Sequence, residues 1–189
     1  MNRRTFIQAA MISPLALSGC DRTPRPVAVD TNGANVDSNV DAIRQDWKTL
    51  LAPNAEVTLS LEPLRKTEAE WQASLSPAQF DVLREEGTEA SHSSPLDKEK
   101  RTGVFACAGC GLPLFTSRMK FDSGTGWPSF FTHIPGHLGT SKDFKLILPR
   151  TEYHCIRCGG HQGHVFDDGP PPTGQRWCNN GVALRFIPA

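Results

Sequence analysis

The apolar residues of this chain follow three different patterns along its length. A largely apolar stretch runs from Phe6 to Leu17, residues at helical spacing follow it, and short alternating segments fill the remainder. The first stretch is shorter than the roughly 18 apolar residues that a membrane helix requires. Arg3 and Arg4 precede it, and a small-residue segment ends it at Cys20. This pattern predicts a signal peptide over residues 1–19.

The end of that segment resembles a bacterial lipobox, in which the peptide is cut before Cys20 and the thiol is acylated. Arg3 and Arg4, with Phe6 close behind, resemble a twin-arginine export signal, a route that carries folded proteins. An ordinary Sec signal with a chance arginine pair and a chance cysteine is the alternative. We expect a lipoprotein in the cell envelope, on the periplasmic side, anchored to a membrane through Cys20.

Residues 20–57 are predicted to be a tether that contains one short helix. From Asp21 to about Asn39 the segment is rich in Pro, Asp, Asn and Gly, which is typical of disorder. From Val40 onward apolar residues recur at helical spacing until Pro53 ends the pattern. Whether this helix packs on the domain stays open at this point.

Residues 58–189 are predicted to be the folded domain. Two capping boxes, beginning at Thr67 and Ser76, predict two short helices at its start, with Gly87 as a C-cap. Trp71, in the first of them, is expected in the core. Fifteen prolines and sixteen glycines favour a mainly β fold with many loops. The formal net charge of zero gives no basic surface for nucleic acid, and no repeat indicates an oligomer, so we expect a monomer.

Four cysteines form two matched C-x-x-C-G pairs with predicted short strands beside them: Cys107 with Cys110, and Cys155 with Cys158. Together the pairs offer the four thiolates of a structural zinc site. In an oxidising compartment each pair could instead be a redox disulfide, or the pairs could form structural bridges. The duplication and the shared glycine favour one structural zinc ion.

Cys178 remains outside these pairs, and a leftover thiol is either reactive or an inert core residue. His161 and His164 lie upstream of it and could handle protons, ligate a metal or be structural. Trp127 stands in a glycine-rich turn, where it could either wall a pocket or belong to the core.

Five motifs occur in the order found in one enzyme family: C-A-G-C-G, K-F-D-S-G-x-G-W-P-S-F, R-T-E, C-x-x-C-G-x-H-x-G-H-V-F-x-D-G-P and R-W-C-x-N. From about Thr67 to Ala189 the chain resembles the B-type methionine sulfoxide reductases, MsrB. The resemblance implies two antiparallel β-sheets, with zinc away from the active site. It also implies an oxidoreductase that repairs proteins under oxidative stress by reducing methionine-R-sulfoxide.

The resemblance also implies roles for individual residues. Cys178 would attack the sulfoxide sulfur and become a sulfenic acid, with its pKa lowered from about 8.5 by Arg176 and a protonated histidine. His161 and His164 would bind the sulfoxide oxygen and deliver a proton. The remaining expected pocket residues are the hydrogen-bonding Asn180 and the substrate-binding pair Trp127 and Phe166.

Three positions depart from the family pattern. Many members have a resolving cysteine where this chain has Thr125. With Cys20 acylated and four cysteines on zinc, no internal thiol remains, so the expected electron donor is an external, thioredoxin-like protein. Gly181 stands where the family usually has Ser, and Gln162 where Leu is common.

Two other function classes remain possible from the sequence. A zinc-stabilised β-fold could serve as a binding module with Trp127 as the wall of its pocket, without catalysis. A thiol–disulfide oxidoreductase could use the two C-x-x-C pairs, provided that they hold no metal.

Overall fold

The computed structural model describes residues 33–144 and 149–189, which belong to one compact unit. The predicted signal peptide, Cys20 and the first part of the predicted tether lie outside the described residues. In the part that is described, no helix has both the length and the apolar character needed to cross a membrane.

Nine short strands, β1 to β9, dominate the described part of the chain. In chain order they are Gly103–Cys107, Pro113–Thr116, Lys120–Phe121, Ser129–Phe130, Leu138–Asp143, Arg150–Cys155, His161–Phe166, Arg176–Asn179 and Leu184–Pro188. They form a three-stranded sheet in the order β2-β1-β9 and a six-stranded sheet in the order β3-β4-β8-β7-β6-β5. Every pairing is antiparallel, which confirms the predicted mainly β fold with two sheets.

Aromatic side chains fill the space between the two sheets. Phe105 and Phe115 come from the small sheet, whereas Phe130 and Tyr153 come from the large one, and all four are fully buried. The rings of Phe115 and Phe130 stack at a centroid distance of 4.0 Å, and Phe105 meets Phe130 edge-on at 5.1 Å. Such pairs stabilise the core beyond the burial of their area, so they hold the sheets face to face.

Two short helices, α2 (Glu68–Ser74) and α3 (Pro77–Glu85), precede the sheets. Both predicted capping boxes are present, at Thr67 and Ser76, with each side chain accepting from the backbone three residues on. Trp71 is buried in the core as predicted. The left-handed residue that ends α3 is Glu86, with φ 57°, and not the predicted Gly87. Short 3-10 turns lie at Pro95–Lys98, Ser117–Met119 and Gly181–Ala183.

The helix of the predicted tether packs on the domain. α1 (Gly33–Gln45) begins earlier than predicted and continues into a 3-10 turn, Asp46–Leu50. Trp47 is buried in the shared core and meets the ring of His137 edge-on at 5.5 Å. Arg118 also pairs with Asp46. Val40, Trp47 and Leu50, three members of the predicted apolar pattern, are buried.

Candidate active site and metal centre

Cys178 lies in β8, in the middle of a row of residues that crosses four strands. In that register Glu152 of β6 is opposite His164 of β7, His164 is opposite Cys178, and Cys178 is opposite Ser129 of β4. Residues directly opposite one another in antiparallel strands share a face of the sheet. The pairing of β7 with β8 therefore brings the predicted nucleophile and one predicted proton donor together.

His161 and His164 share that face because β7 contains a bulge. Residues three apart in a regular strand point to opposite faces. Here Gly163 pairs with Tyr153 of β6, and His161 pairs with the next residue, His154. Gln162, which lies between them in β7, is therefore an extra residue without a partner in β6. The centroids of the two histidine rings consequently lie 5.4 Å apart. Bulges next to active sites often re-aim a side chain in this way.

A carboxylate holds each of these histidines. His161 Nδ1 lies 2.8 Å from Glu152 Oε1, and His164 Nε2 lies 2.8 Å from Asp143 Oδ2. Asp143 also accepts from Arg150 at 2.6 Å. Among the described residues the buried Nε2 of His161 has no hydrogen-bond partner. His161 itself does not line the pocket beside Cys178, so this unpartnered nitrogen lies beneath the surface of the site.

Charge in the site follows from these contacts. Burial on its own raises the pKa of Glu152, but hydrogen bonds from His154, His161 and Ser141 lower it to about 2, so the carboxylate is anionic. Burial lowers the pKa of His164, and the bond to Asp143 only partly offsets it. At neutral pH His164 is therefore mostly a neutral imidazole.

A pocket of about 130 Å³ opens on the face that carries Cys178. Its volume suits the end of one side chain, because a single water needs roughly 10–15 Å³ on this measure. Nine residues line it: Thr88, Trp127, Arg150, Gly163, His164, Phe166, Cys178, Asn179 and Asn180. Both predicted substrate-binding residues, Trp127 and Phe166, are among them. Trp127 is fixed by its indole nitrogen, which donates to the carbonyl oxygen of Glu89 at 3.2 Å.

Asn180 lines the pocket, but both ends of its side-chain amide are hydrogen-bonded within the protein. Its Nδ2 donates to the carbonyl oxygen of Gln162 at 3.0 Å, and its Oδ1 accepts from the backbone nitrogen of Glu89 at 3.0 Å. The carboxylate of Glu89 in turn accepts from the backbone nitrogens of Gly181 and Val182 at 2.6 and 2.9 Å. Asn180 thus ties the loop before the sheets to the strands beside Cys178.

Arg176 lies beside the pocket, not in its lining. It pairs with both oxygens of Asp168 at 2.8 Å and lies over the ring of Phe166 at 4.4 Å. Burial raises the pKa of Cys178, and the opposing effects of Arg176 and of a hydrogen bond with Thr125 are smaller. The predicted lowering of the Cys178 pKa is therefore wrong, because burial outweighs Arg176, whose charge is paired with Asp168.

The four remaining described cysteines converge in a separate cluster. The Sγ atoms of Cys107, Cys110, Cys155 and Cys158 all lie within 4.8 Å of one another. Cys107 and Cys158 are 3.7 Å apart, and Cys110 and Cys155 are 3.5 Å apart. Sulfurs tetrahedrally arranged around zinc would be about 3.8 Å apart, whereas a disulfide bond is about 2.05 Å long. The cluster therefore fits a metal ion and contains no disulfide.

Left-handed glycines shape both C-x-x-C-G turns of this metal centre. Gly111 and Gly159, the predicted trailing glycines, have φ of 75° and 67°, which residues with a Cβ rarely adopt. Cys107 ends β1 of the small sheet and Cys155 ends β6 of the large one. A bound metal would therefore join the two sheets.

Sequence reasoning missed Asp143, Arg150 and Glu89. Arg150 and Glu152 belong to the R-T-E motif, which was visible but carried no assigned role. Asp143 stands at the end of β5, and no motif marked it. A carboxylate beside a catalytic histidine can be recognised only once the strand register is known.

Comparison with known proteins places the chain among close relatives. A sequence profile described as the SelR domain matches residues 75–188. A protein of Agrobacterium fabrum named peptide methionine sulfoxide reductase MsrB is 45% identical over 131 residues, which cover 69% of this chain and 97% of that protein. Proteins of the same name from Methanosarcina barkeri and Bradyrhizobium diazoefficiens are 46% and 44% identical, over 68% and 72% of this chain and 91% and 99% of theirs.

The contacts of His164 generate a testable expectation. We expect the His164 ring to titrate below the usual histidine pKa of about 6.5, because burial disfavours the imidazolium. Asp143→Asn should lower that pKa further, since the carboxylate stabilises the charged ring and Arg150 would then act on it unopposed. Titration of the ring signals by NMR measures both values.

Asp122→Asn, which removes an exposed carboxylate paired with Lys98, is the control. An unchanged or higher pKa in Asp143→Asn would contradict the assignment.

Proposed function

The chain belongs to the MsrB family of peptide methionine sulfoxide reductases, and on that premise we propose that it reduces methionine-R-sulfoxide in proteins to methionine. The observation that carries the proposal is the position of Cys178, half-buried in a small pocket and directly opposite His164. A non-catalytic binding module would need the aromatic wall but not this pairing of a thiol with an imidazole.

The two sides of the pocket suit the two ends of a methyl sulfoxide. Trp127 and Phe166 offer apolar surface to the S-methyl group, whereas Arg150 and His164 offer polar groups to the oxygen. His161 lies on the same face behind this lining, with its Nε2 buried and without a partner. Binding energy and orientation would thus come from one hydrophobic and one polar contact region.

The proposed reaction transfers one oxygen atom to the enzyme. The Cys178 sulfur attacks the sulfoxide sulfur and forms an S–S bond, while the histidines pass the thiol proton to the sulfoxide oxygen, which leaves as hydroxide. Hydroxide then attacks the Cys178 sulfur, and the S–S bond breaks to release methionine. The products are methionine, reduced by two electrons, and a Cys178 sulfenic acid, oxidised by two electrons. Because burial raises the pKa of Cys178, the thiol keeps its proton at rest, and a neutral imidazole at His164 can accept it when substrate is bound.

Regeneration of Cys178 would depend on an external thiol. Thr125, whose hydroxyl is 2.8 Å from that of Ser123, stands where many family members have a second cysteine. The other described cysteines belong to the metal cluster. A thioredoxin-like protein is the proposed donor, and it would attack the sulfenic acid directly.

A single-turnover experiment tests the activity and the one-cysteine cycle together. Without reductant, we expect about one methionine per protein from the R epimer of a methionine sulfoxide peptide, because each Cys178 can be oxidised once. Intact mass should show one added oxygen and no disulfide. The S epimer and the variant Cys178→Ser are the controls, and both should yield no methionine. If neither epimer is reduced, the proposed activity is wrong, and a new disulfide would contradict the one-cysteine cycle.

The metal centre is proposed to hold one structural Zn²⁺ through Cys107, Cys110, Cys155 and Cys158. The zinc would cross-link the two sheets, and none of these four cysteines lines the pocket. When bound, it supplies folding free energy and takes no part in the transfer of oxygen.

Removal of the metal should unfold the domain. Chelation is expected to abolish the β-sheet circular dichroism signal and cooperative thermal unfolding, because the ion joins segments of different sheets. Elemental analysis before chelation should give one zinc per chain, and Cys178→Ser should keep it. A chain that contains no metal, or that stays folded after chelation, would contradict the structural role.

The site of action is proposed to be the cell envelope. The predicted signal peptide and a lipidated Cys20 would anchor the domain as a monomer to a membrane on its periplasmic side, close to envelope proteins that meet oxidants. The support for this proposal is the N-terminal sequence alone.

Mass spectrometry of the mature chain tests the anchor. In a bacterial host, the protein from the membrane fraction should begin at Cys20 and carry the mass of acyl chains. Cys20→Ser should lose that mass and leave the membrane fraction. An unmodified Cys20 in the mature chain would end the lipoprotein hypothesis.

A further inference from the structure

Gln162 is the extra residue of the β7 bulge, and its side chain is completely buried. The residue lies between the two histidines whose common orientation the bulge creates. Its carbonyl oxygen accepts from both the backbone nitrogen and Nδ2 of Asn180, at 2.8 and 3.0 Å. The bulge is therefore fastened to the chain just beyond β8.

The side chain of Gln162 connects two regions that are otherwise separate. Its Nε2 lies 3.4 Å from the Sγ atom of Cys107 in the metal centre. Its Oε1 accepts from Nδ2 of Asn179, the residue after Cys178, at 3.4 Å. Asn179 in turn accepts from the hydroxyl of Tyr153 at 2.8 Å, which extends this buried network to β6.

We propose that Gln162 is a positioning residue that couples the metal centre to the active site. Its side-chain amide would donate a hydrogen bond to the metal-bound thiolate of Cys107, and the same amide accepts from Asn179, the residue after Cys178. Gln162 thereby links the metal centre to the bulge that sets His161 beside His164. This inference rests on the proposed function, and it adds a hydrogen-bonded link between the metal centre and the histidines of the active site.

The chemistry of the two ends supports this assignment. A thiolate carries negative charge, so an N–H donor beside it stabilises the metal-bound form and slows its release, as outer-shell donors of metal sites do. A buried amide with both ends bonded has one preferred arrangement, because any rotation leaves a polar atom without a partner. An aliphatic side chain could fill the same space, but it would donate nothing to the thiolate and accept nothing from Asn179, whose Nδ2 also donates to the carbonyl oxygen of Asn180 at 2.8 Å.

Position 162 also distinguishes this chain from the family pattern, in which Leu is common. The proposed coupling would then be a property of this chain and not a requirement of the reaction. Gln162→Leu is accordingly a substitution that the fold should accept, and Gln162→Met is a second variant that keeps the length of the side chain without its donor and acceptor. Gln72→Leu, at an exposed position of α2, is the matched control.

The test compares these full-length, zinc-loaded variants in two assays. The first follows transfer of zinc to an excess of a chromophoric chelator, and the second follows single-turnover reduction of the R-sulfoxide peptide.

We expect zinc release to be about 10-fold faster or more in both Gln162 variants, as for other outer-shell substitutions. We expect the single-turnover rate constant to fall by about 10-fold, with the circular dichroism spectrum unchanged, because catalytic rate depends steeply on side-chain geometry. The control should match the wild type in both assays.

The outcomes separate the coupling from the activity itself. Wild-type values for both Gln162 variants in both assays would overturn the proposal, and so would faster zinc release with an unchanged rate of reduction. If the wild type reduces neither epimer, the proposed function fails, and the ring NMR signals of His161 and His164 replace the second assay. Signals that move in Gln162→Met but not in Gln72→Leu would still support the coupling, and unmoved signals would overturn it.

Discussion

The antiparallel register between β7 and β8 is the constraint on which the site depends. It sets His164 directly opposite Cys178, and the neighbouring pairings add Glu152 on one side and Ser129 on the other. Because side chains alternate along a strand, a slip of one residue would turn Cys178 away from the pocket. Buried neighbours on both faces of β8 oppose such a slip.

Buried carboxylates give this row its electrostatic character. Glu152 holds His161 and Asp143 holds His164 through a charge-assisted hydrogen bond, and Arg150 balances Asp143. Partners of this kind fix the orientation and the tautomer of an imidazole. The result is a site whose proton-handling groups are ordered before a ligand arrives, so little reorganisation is left for the reaction itself.

The rest of the fold holds the two sheets together. The sheets have three and six strands, and aromatic rings in stacked and edge-on contact fill the core between them. The cysteine cluster joins the ends of β1 and β6, and the N-terminal helix adds Trp47 to the same core. A domain of this size gains much from such cross-links, because its hydrophobic core alone provides a narrow margin of stability.

The sequence by itself determined the chemistry of this protein but not its geometry. Its clearest signals are local patterns that depend only on spacing along the chain. The matched cysteine pairs indicated the metal centre, the capping boxes indicated two helices, and the residues around Cys178 indicated the candidate nucleophile. The tertiary structure alone decided which carboxylates hold the histidines, because Asp143 and Glu152 reach them across strands. It also decided the resting pKa of Cys178, since burial and the pairing of Arg176 with Asp168 outweigh the neighbouring charge. The bulge at Gln162 arises from strand pairing over a long sequence separation, which no local pattern encodes.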